Sequence, residues 1–396
     1  MGLSARFMRF LHTADWHIGK TLYGRSLLDE QEQVIEQIIA LAHDRTPDVI
    51  VIAGDLFDHP SPGADAQKLC YSAIRRLSAV SPVVIIPGNH DAAGRFKALE
   101  ALVDGGRIHI TSRVDEVVER AYHIDGEEGK VSIYGIPYTS PNNVHRLLDC
   151  EANHNSVVTT LMEKIRGDAE GSGSRVVVIA HLFIEGGELT GADGDRGSER
   201  TIEYGGIHDI SADFFDGSDL LLLGHLHRPQ TVRDQGPTTH YSGSILRYSF
   251  SEASHRKSTS VIEFDLTTGE SSIEKVPIEL PCGMARLKGK SVDEVLANDA
   301  YTEHEGSWVE VRLPLSQRGK NALVRLQQRF RKCVNVIFEG PIVSASGGIA
   351  PVNEGASIEE KATAFFETVA GEGSATKSRV EVVTDADERI RSRGSA

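Results

Sequence analysis

Five apolar runs of the sequence end in side chains that metal ions prefer as ligands. The runs cover residues 10–14, 49–53, 83–86, 176–180 and 220–223, and the residues after them include Asp15, His17, Asp55, Asn89, His90, His181, His225 and His227. Mixed carboxylate, amide and imidazole donors suit manganese, iron or zinc. So many donors exceed the needs of one tetrahedral ion, so the pattern favours two ions that share a carboxylate. Such a pair binds phosphoester oxygens, which predicts phosphoester cleavage.

The elements that must place these side chains are buried strands. Four of the runs are rich in Val, Ile or Leu, and the alternation of such runs with amphipathic helices indicates an α/β sandwich. Ligands at the exits of such strands converge on one crevice. Glycines before Asp55, Asn89 and His225 allow the sharp turns that this requires. His12 lies inside the first run, where we expect a core histidine with satisfied hydrogen bonds.

Length, net charge and composition narrow the classes of protein to which the chain can belong. At 396 residues the chain exceeds one typical core, so two or three domains are expected. The net charge of -15 argues against a broad basic surface that wraps nucleic acid, so any such role must be local, metal-assisted or shared with a partner. Without an apolar run of about 18 residues or a signal-peptide core, a cytoplasmic protein with no membrane association is expected. The cysteines at 70, 150, 282 and 333 lack CxxC spacing and fit reduced core residues.

The ordered series of motifs resembles that of the calcineurin-like metallophosphoesterase superfamily. The series comprises Asp15-x-His17, Gly54-Asp55-x-Phe57-Asp58, Gly88-Asn89-His90-Asp91, His181 and Gly224-His225-x-His227. Within the superfamily, the chain is similar to the SbcD family, the nuclease subunits of SbcCD-type complexes, through segments 11–20, 224–230 and 241–252. The resemblance implies an α/β fold: a metallophosphoesterase β-sandwich flanked by helices in four layers, with a small α+β capping domain and a C-terminal helical tail.

The resemblance also implies a role for each site residue. One ion is held by Asp15, His17 and His227, a second by Asn89, His181 and His225, and Asp55 bridges the two. His90 is catalytic, stabilising charge at the phosphate or protonating the leaving oxygen, and Asp91 orients it. Manganese is the implied ion at both positions, with Mg²⁺ or Fe²⁺ as alternatives. Asp58 stands where archaeal and eukaryotic nucleases have a histidine, a departure common among bacterial members that leaves its role open.

Basic side chains near the predicted crevice are candidates for substrate contacts. They are Lys20, Arg25, Arg95 and Arg247. Phosphate contacts from such residues position nucleic acid. Arg247 belongs to a basic cluster with Arg256 and Lys257, which favours a nucleic-acid surface there. For the other candidates, an ordinary surface charge is an equally good interpretation.

Composition divides the chain into four segments, at 1–275, 276–340, 341–356 and 357–396, of which 341–356 is rich in Gly, Ser, Ala and Pro and is expected to be a flexible linker. The resemblance implies that 1–275 is a metallophosphoesterase (nuclease) domain, 276–340 a capping domain that positions DNA, and 357–396 a partner-binding helical segment. A basic helix without acidic residues is predicted over 318–332. It is either a solvated face or a phosphate-contacting surface.

The last segment predicts an amphipathic helix that binds a partner. Ser357 and Glu360 form a capping box, and the apolar stripe that follows includes Ile358, Phe365, Phe366 and Val369. Beyond a linker, this stripe packs on a partner or folds back on the body. The resemblance favours the coiled-coil base of an SbcC-like ATPase, in a heterotetramer that contains a homodimer of this chain.

These observations predict a two-metal DNA nuclease. By resemblance it is a double-strand exonuclease and a single-strand or hairpin endonuclease that acts with its ATPase in DNA end processing, repair, recombination and replication, at the nucleoid. The alternatives are a phosphatase or cyclic-nucleotide phosphodiesterase that uses the same metal core, and a scaffold that has lost catalysis. The segments after residue 275 argue against a small substrate, and the full set of ligands argues against a scaffold.

Overall fold

Strands and helices alternate along most of the chain. The computed structural model describes residues 7–103, 105–126, 129–188, 210–233, 236–319, 321–340, 357–370, 377 and 380–385. Its strands are β1 (Phe7–Thr13), β2 (Thr21–Leu22), β3 (Arg25–Ser26), β4 (Val49–Ala53), β5 (Val83–Ile86), β6 (Ile108–Ile110), β7 (Tyr122–Gly126), β8 (Gly129–Ile136), β9 (Arg175–His181), β10 (Leu220–Gly224), β11 (Gln230–Arg233), β12 (Thr238–Tyr241), β13 (Ser258–Asp265), β14 (Ser271–Pro277), β15 (Met284–Lys288), β16 (Trp308–Pro314) and β17 (Cys333–Glu339). Its α-helices are α1 (Leu28–Arg45), α2 (Ala64–Val80), α3 (Ala93–Val103), α4 (Pro141–Leu148), α5 (His154–Ala169), α6 (Val292–Ala297), α7 (Ala322–Leu326) and α8 (Ile358–Ala370).

Two mixed sheets form the body of the fold. Over the described residues each has six strands, in the orders β14-β13-β1-β4-β5-β6 and β11-β12-β10-β9-β8-β7. β1, β4 and β5 run parallel in the first sheet, and β8, β9 and β10 run parallel in the second. Neighbouring parallel strands end at one edge, so the polar residues that follow them lie close together.

Three apolar clusters arrange these sheets and helices in four layers. One cluster lies between the sheets and includes Phe10 and Leu222. A second packs the outer face of the first sheet against α1, α2 and α3, and a third packs Leu221 and the outer face of the second sheet against α5. A strand covered on both faces needs apolar side chains at every position, which explains the unbroken run 220–223. The predicted α/β sandwich flanked by helices is confirmed.

The segment after β14 contains a small sheet and two short helices. The sheet has the order β15-β16-β17, and β15 and β16 are parallel. The basic helix predicted over 318–332 is wrong, since α7 covers only Ala322–Leu326 and follows Asn321 in a left-handed conformation, with φ of 76°. Three basic residues of 318–332 pair with distant acidic groups that local sequence does not reveal, in the pairs Arg325–Asp293, Arg329–Glu305 and Lys332–Glu30.

The chain divides into two compact units. One comprises Met1–Arg312 and Gly319–Ile337, and the other comprises Leu313–Arg318 and Phe338–Ala396. Within the first unit, the Asn335 side chain donates to the hydroxyl of Tyr23 over 3.0 Å. Part of the predicted capping segment therefore contacts the body in the first unit. The predicted boundaries at 275 and 340 stay predictions, and the predicted linker 341–356 lies outside the described residues.

Helix α8 belongs to the second unit and begins with the predicted capping box. The amide of Glu360 donates to Oγ of Ser357 over 3.2 Å, and the amide of Ser357 donates to Oε2 of Glu360 over 2.8 Å. Phe365 is 48% exposed, whereas the side chains of Phe366 and Val369 lie outside the described residues. Within the described part of the chain, no helix is long and apolar enough to cross a membrane.

Candidate metal centre

Four of the predicted ligands have a left-handed backbone. The φ angles are 51° at Asp15, 43° at His17, 51° at Asp55 and 102° at His225. This region is costly for residues other than glycine, and such strain concentrates at functional sites. Hydrogen bonds connect two of these turns. The amide of Asp15 donates to the carbonyl of Gly54 over 3.0 Å, and the amide of His17 donates to the carbonyl of Asp55 over 2.9 Å. Sharp turns at the strand exits thus bring these side chains together.

A first donor cluster consists of Asp15, His17 and His227. One donor atom from each lies within 4.8 Å of the other two, and all three side chains are buried. Nε2 of His17 is 3.2 Å from Nε2 of His227. The carboxylate of Asp15 also accepts from the amide of His225 over 2.9 Å, which connects the first and last motifs of the series.

A second cluster lies beside the first, and Asp55 stands between them. Oδ1 of Asn89 is 3.0 Å from Nε2 of His181 and 3.2 Å from Nδ1 of His225. Oδ2 of Asp55 is 3.5 Å from Nε2 of His17 and 3.5 Å from Nε2 of His181. One carboxylate oxygen therefore faces a nitrogen of each cluster, which is the position that a ligand shared by two ions must have.

Burial controls the electrostatics of these groups. It raises the pKa of Asp15 to about 7 and lowers the pKa of His17 and of His225 to about 3. Burial alone would raise the pKa of Asp55, but His181 and His17 hold it well below its ordinary value. Burial would likewise lower the pKa of His181, but Asp55 and Asp15 outweigh it and raise that pKa to about 9. Adjacent buried carboxylates beside the neutral imidazoles of His17 and His225 are an environment that a divalent cation stabilises.

The first-cluster histidines have carboxylates at their outer nitrogens. Nδ1 of His227 is 3.1 Å from Oε1 of Glu252, and Nδ1 of His17 is 3.6 Å from Oδ1 of Asp58. A proton on Nδ1 leaves the lone pair of a neutral ring on Nε2, where a metal binds. The donor types and their hydrogen bonding therefore fit divalent cations.

His90 lies beside the clusters, but its predicted partner is wrong. Its ring stands edge-on to His17 with centroids 4.7 Å apart, and its Nδ1 donates to the carbonyl of Asp58 over 2.8 Å. Asp91 accepts instead from backbone amides, those of Leu56 at 3.1 Å, Phe57 at 3.0 Å and Gly88 at 3.0 Å. Asp91 thus joins two ligand loops and does not orient the imidazole. Burial raises the pKa of Asp91 to about 7.

The four basic candidates are held by groups of the protein. Nζ of Lys20 is 2.7 Å from Oδ1 of Asp58, which places its ammonium behind the first cluster. The other three donate to backbone carbonyls, in the pairs Arg25–Arg331 at 3.3 Å, Arg95–Pro60 at 3.4 Å and Arg247–His255 at 2.9 Å. Of the candidates, Lys20 is the one that the structure brings to the donor clusters through a described contact.

A buried ion pair behind His227 is not predicted by the sequence. Oε2 of Glu252 is 2.6 Å from Nζ of Lys257, and both side chains are fully buried. Burial alone would raise the pKa of Glu252, but Lys257 and His227 hold it well below its ordinary value. The expectation that Lys257 joins Arg247 in a surface cluster is therefore wrong. Segment 241–252 resembles the family, yet only the fold shows which histidine Glu252 contacts.

Comparison with known proteins identifies the family. The sequence profile of the calcineurin-like phosphoesterases matches residues 8–229, which contain all seven predicted ligands. The chain belongs to the calcineurin-like phosphoesterase family. The resemblance drawn from the motifs is thereby confirmed, and with the donor clusters it supports a metal-dependent phosphoesterase.

Relatives of this calcineurin-like phosphoesterase include a component of a nuclease. SbcD of the nuclease SbcCD from Bacillus subtilis (strain 168) is 33% identical over 333 residues, which are 81% of this chain and 79% of that protein. Among solved structures, a dimetal phosphatase from Danio rerio is 11% identical with a TM-score of 0.41, over 70% of this chain and 100% of that one. The NAD nucleotidase of Haemophilus influenzae is 13% identical with a TM-score of 0.41, over 70% of this chain and 57% of that one.

Proposed function

We propose that this calcineurin-like phosphoesterase is a two-metal DNA nuclease that acts with an SbcC-like ATPase. The observation that supports the metal chemistry most directly is the position of Asp55, whose Oδ2 is 3.5 Å from Nε2 of both His17 and His181. The choice of DNA and of the partner is supported by 33% identity, over 81% of the chain, to a protein named as part of the nuclease SbcCD.

The proposed ligands form two sets that share one carboxylate. Asp15, His17 and His227 would hold one cation, Asn89, His181 and His225 would hold the other, and Asp55 would serve both. Two cations held there would supply Lewis acidity toward the phosphate oxygens and activate water at neutral pH. We take manganese as the ion, with Mg²⁺ and Fe²⁺ as alternatives that the same oxygen and nitrogen donors accept.

His90 is the proposed catalytic residue at the scissile phosphate. Its Nδ1 donates to the carbonyl of Asp58 over 2.8 Å, so Nε2 is the atom that can hydrogen-bond a phosphate oxygen or exchange a proton with the leaving oxygen. The amide of His90 also donates to Oδ1 of Asp55 over 2.8 Å. The ring and the shared carboxylate are therefore held in one geometry. Asp91 contributes indirectly, by joining the loops of Asp55 and His90 through the amides of Leu56 and Gly88.

Substrate binding in this proposal is local and shared. With a net charge of -15, the chain lacks the charge for broad phosphate neutralisation, so the cations and a few basic side chains bind the scissile region and the partner binds the rest of the duplex. Lys20, Arg25, Arg95 and Arg247 are the proposed contacts. The proposed activities are exonuclease action on duplex ends and endonuclease action on hairpins and single strands. The proposed role is DNA repair and recombination in the cytoplasm, by a homodimer of this chain within a heterotetramer.

A cleavage assay with matched substrates tests this proposal. The full chain, alone and with its ATPase, is incubated with Mn²⁺ and linear duplex, hairpin or single-stranded DNA, and in parallel with a chromogenic phosphomonoester and phosphodiester. We expect the wild type to cleave DNA. Asp55→Asn and His90→Gln should each reduce the rate of cleavage by about a hundredfold or more. Glu310→Gln is the control, because Glu310 is also a buried carboxylate but pairs with Arg286, over 3.0 Å, in the small sheet.

Two outcomes would contradict the proposal in different ways. Undiminished cleavage by both Asp55→Asn and His90→Gln would remove the site assignment. Turnover of the small esters without cleavage of any DNA would favour the phosphatase or small-substrate phosphodiesterase alternative, because the metal centre would then be active on a different substrate.

A further inference from the structure

We propose that Glu252, held by Lys257, is a positioning residue that makes the cation position of Asp15, His17 and His227 the tighter of the two. The inference rests on the proposed two-cation centre but not on DNA as its substrate. It concerns the side chains behind the ligands, where the two positions differ.

The pair fixes both the ring and the backbone of His227. Oε1 of Glu252 accepts from Nδ1 of His227 over 3.1 Å, so the imidazole directs Nε2 toward the donor cluster. Lys257 holds the other carboxylate oxygen at 2.6 Å and donates to the carbonyl of His227 over 2.9 Å. It also donates to Oγ of Ser244 over 2.7 Å, which uses all three hydrogens of its ammonium. Ring orientation and backbone position are therefore set by one buried network.

Of the two histidines at the other position, His181 has a neutral group at its outer nitrogen. Nδ1 of His181 donates to the carbonyl of Ala53 over 2.9 Å. An ionised carboxylate at the outer nitrogen strengthens the donor nitrogen of an imidazole more than a neutral carbonyl does. His17 adds to the difference, because the carboxylate of Asp58 is 3.6 Å from its Nδ1. The longer distance and the partial exposure of Asp58, 27%, make that contribution smaller than the one at His227.

A structural role alone does not account well for this ion pair. Both side chains are fully buried, and a buried pair is often no more stabilising than apolar residues of the same size, because desolvation offsets the attraction. One partner of the pair contacts the outer nitrogen of a proposed ligand, and the other contacts the backbone of the same residue. The geometry is that of a second layer that orients a metal-binding histidine.

Equilibrium dialysis of Mn²⁺ into the metal-stripped full chain tests the inference. The wild type should show two association constants for Mn²⁺. The double variant Glu252→Gln/Lys257→Met keeps the side-chain sizes and leaves no buried charge unpaired. Its larger association constant should fall about 10- to 100-fold, while the smaller one stays the same. Glu310→Gln removes a buried carboxylate away from the centre and should leave both constants unchanged.

Single-ligand variants assign the constants to positions. His227→Ala should lose the tighter class, and Asn89→Ala should lose the weaker class. A folded double variant with both wild-type constants would overturn the inference, and so would loss of the weaker class instead of the tighter one. If the double variant does not fold, Glu252→Asp is measured in the same way. This variant keeps the charge but withdraws the carboxylate from His227, so it should weaken Mn²⁺ binding at the tighter class only.

The result is separable from that of the cleavage assay. If the double variant weakens only the tighter class while the wild type cleaves no DNA, the positioning role is supported and the nuclease proposal is contradicted. A double variant with unchanged constants contradicts the positioning role and leaves the nuclease proposal as it stands.

Discussion

Nε2 of His17 lies 3.2 Å from Nε2 of His227. Oε1 of Glu252 is 3.1 Å from Nδ1 of His227, so in the neutral ring Nε2 of His227 has the free lone pair. Both side chains are buried, so bulk water does not solvate these two nitrogens. A cation bound by both nitrogens would stabilise the folded state, so binding and folding stability are linked.

Removal of the metal should therefore lower thermal stability. Treatment with a chelator should reduce the midpoint in differential scanning calorimetry, and added Mn²⁺ should restore it. At a free concentration about 100 times Kd, one site contributes about 2.7 kcal/mol. His227→Ala should lose most of this gain. Equal midpoints for the stripped and reloaded wild type would show that the donor clusters do not bind the ion.

A change at Gly88 should disturb the centre without altering any ligand. A Cβ at this position would overlap the carboxylate of Asp55 and its backbone nitrogen, so Gly88→Ala must displace the shared ligand. We expect Mn²⁺ affinity and DNA cleavage each to fall by about tenfold or more. Gly94→Ala is the matched control, because a Cβ there meets open space. Wild-type affinity and cleavage in Gly88→Ala would contradict the placement of Asp55.

Replacement of Asp91 should lower the unfolding free energy more than replacement of His90 does. Asp91→Ala removes the acceptor of three backbone amides, those of Leu56, Phe57 and Gly88. A buried unsatisfied donor costs about 1–3 kcal/mol, so the unfolding free energy should fall by about 3 kcal/mol or more. His90→Gln removes one ring hydrogen bond, from Nδ1 to the carbonyl of Asp58, and should cost about 1 kcal/mol or less. Urea unfolding of the metal-free variants, followed by circular dichroism, measures both, and an equal loss in the two would contradict this division of roles.

The strands and the donor set could be predicted because both depend on local sequence. A strand covered on two faces has to be apolar throughout, so runs such as 49–53 stand out, and a polar residue directly after one is conspicuous. The grouping of Asp15 and His17 with His227, more than 200 positions away, came from the resemblance to the family and not from strand geometry, because β1 and β10 belong to different sheets.

The supporting contacts could not be predicted, because they depend on which loops face each other. Asp91 looks like a partner of adjacent His90, yet its carboxylate turns toward amides about 35 positions earlier in the chain. Lys257 looks like a surface charge beside Arg256, but Glu252 neutralises it in the interior. Three basic residues of 318–332 likewise have acidic partners, such as Glu305 for Arg329, that a helical pattern does not show.

His12 should make stability depend on pH. It is fully buried between the sheets, and burial lowers its pKa to about 3, whereas the unfolded chain titrates near 6.5. Above pH 6.5 both states are neutral at this residue. As pH falls from 6.5 toward 3, only the unfolded chain binds the proton, so the unfolding free energy falls by up to about 1.4 kcal/mol per pH unit.

Urea unfolding of metal-free protein at pH 7 and pH 5.5 measures this effect. The loss of stability between the two pH values should be smaller in His12→Phe than in the wild type by about 1 kcal/mol, since one titrating difference is removed. His43→Gln, at an exposed position of α1, should keep the wild-type dependence. An identical loss in His12→Phe and the wild type would show that His12 does not resist protonation in the folded state.

The face of α8 that contains Phe365 should bind the partner. Phe365 is 48% exposed, and an aromatic side chain that becomes buried at the centre of an interface typically contributes about 2 kcal/mol or more. The full chain should capture an SbcC-like coiled-coil ATPase, a chain truncated at residue 350 should not, and Phe365→Glu should weaken capture by about tenfold or more. Leu102→Glu changes an apolar residue of α3 that is 80% exposed and should have no effect. Equal capture by the full and truncated chains, with a lower melting temperature for the truncated one, would instead mean that the helix folds back on its own chain.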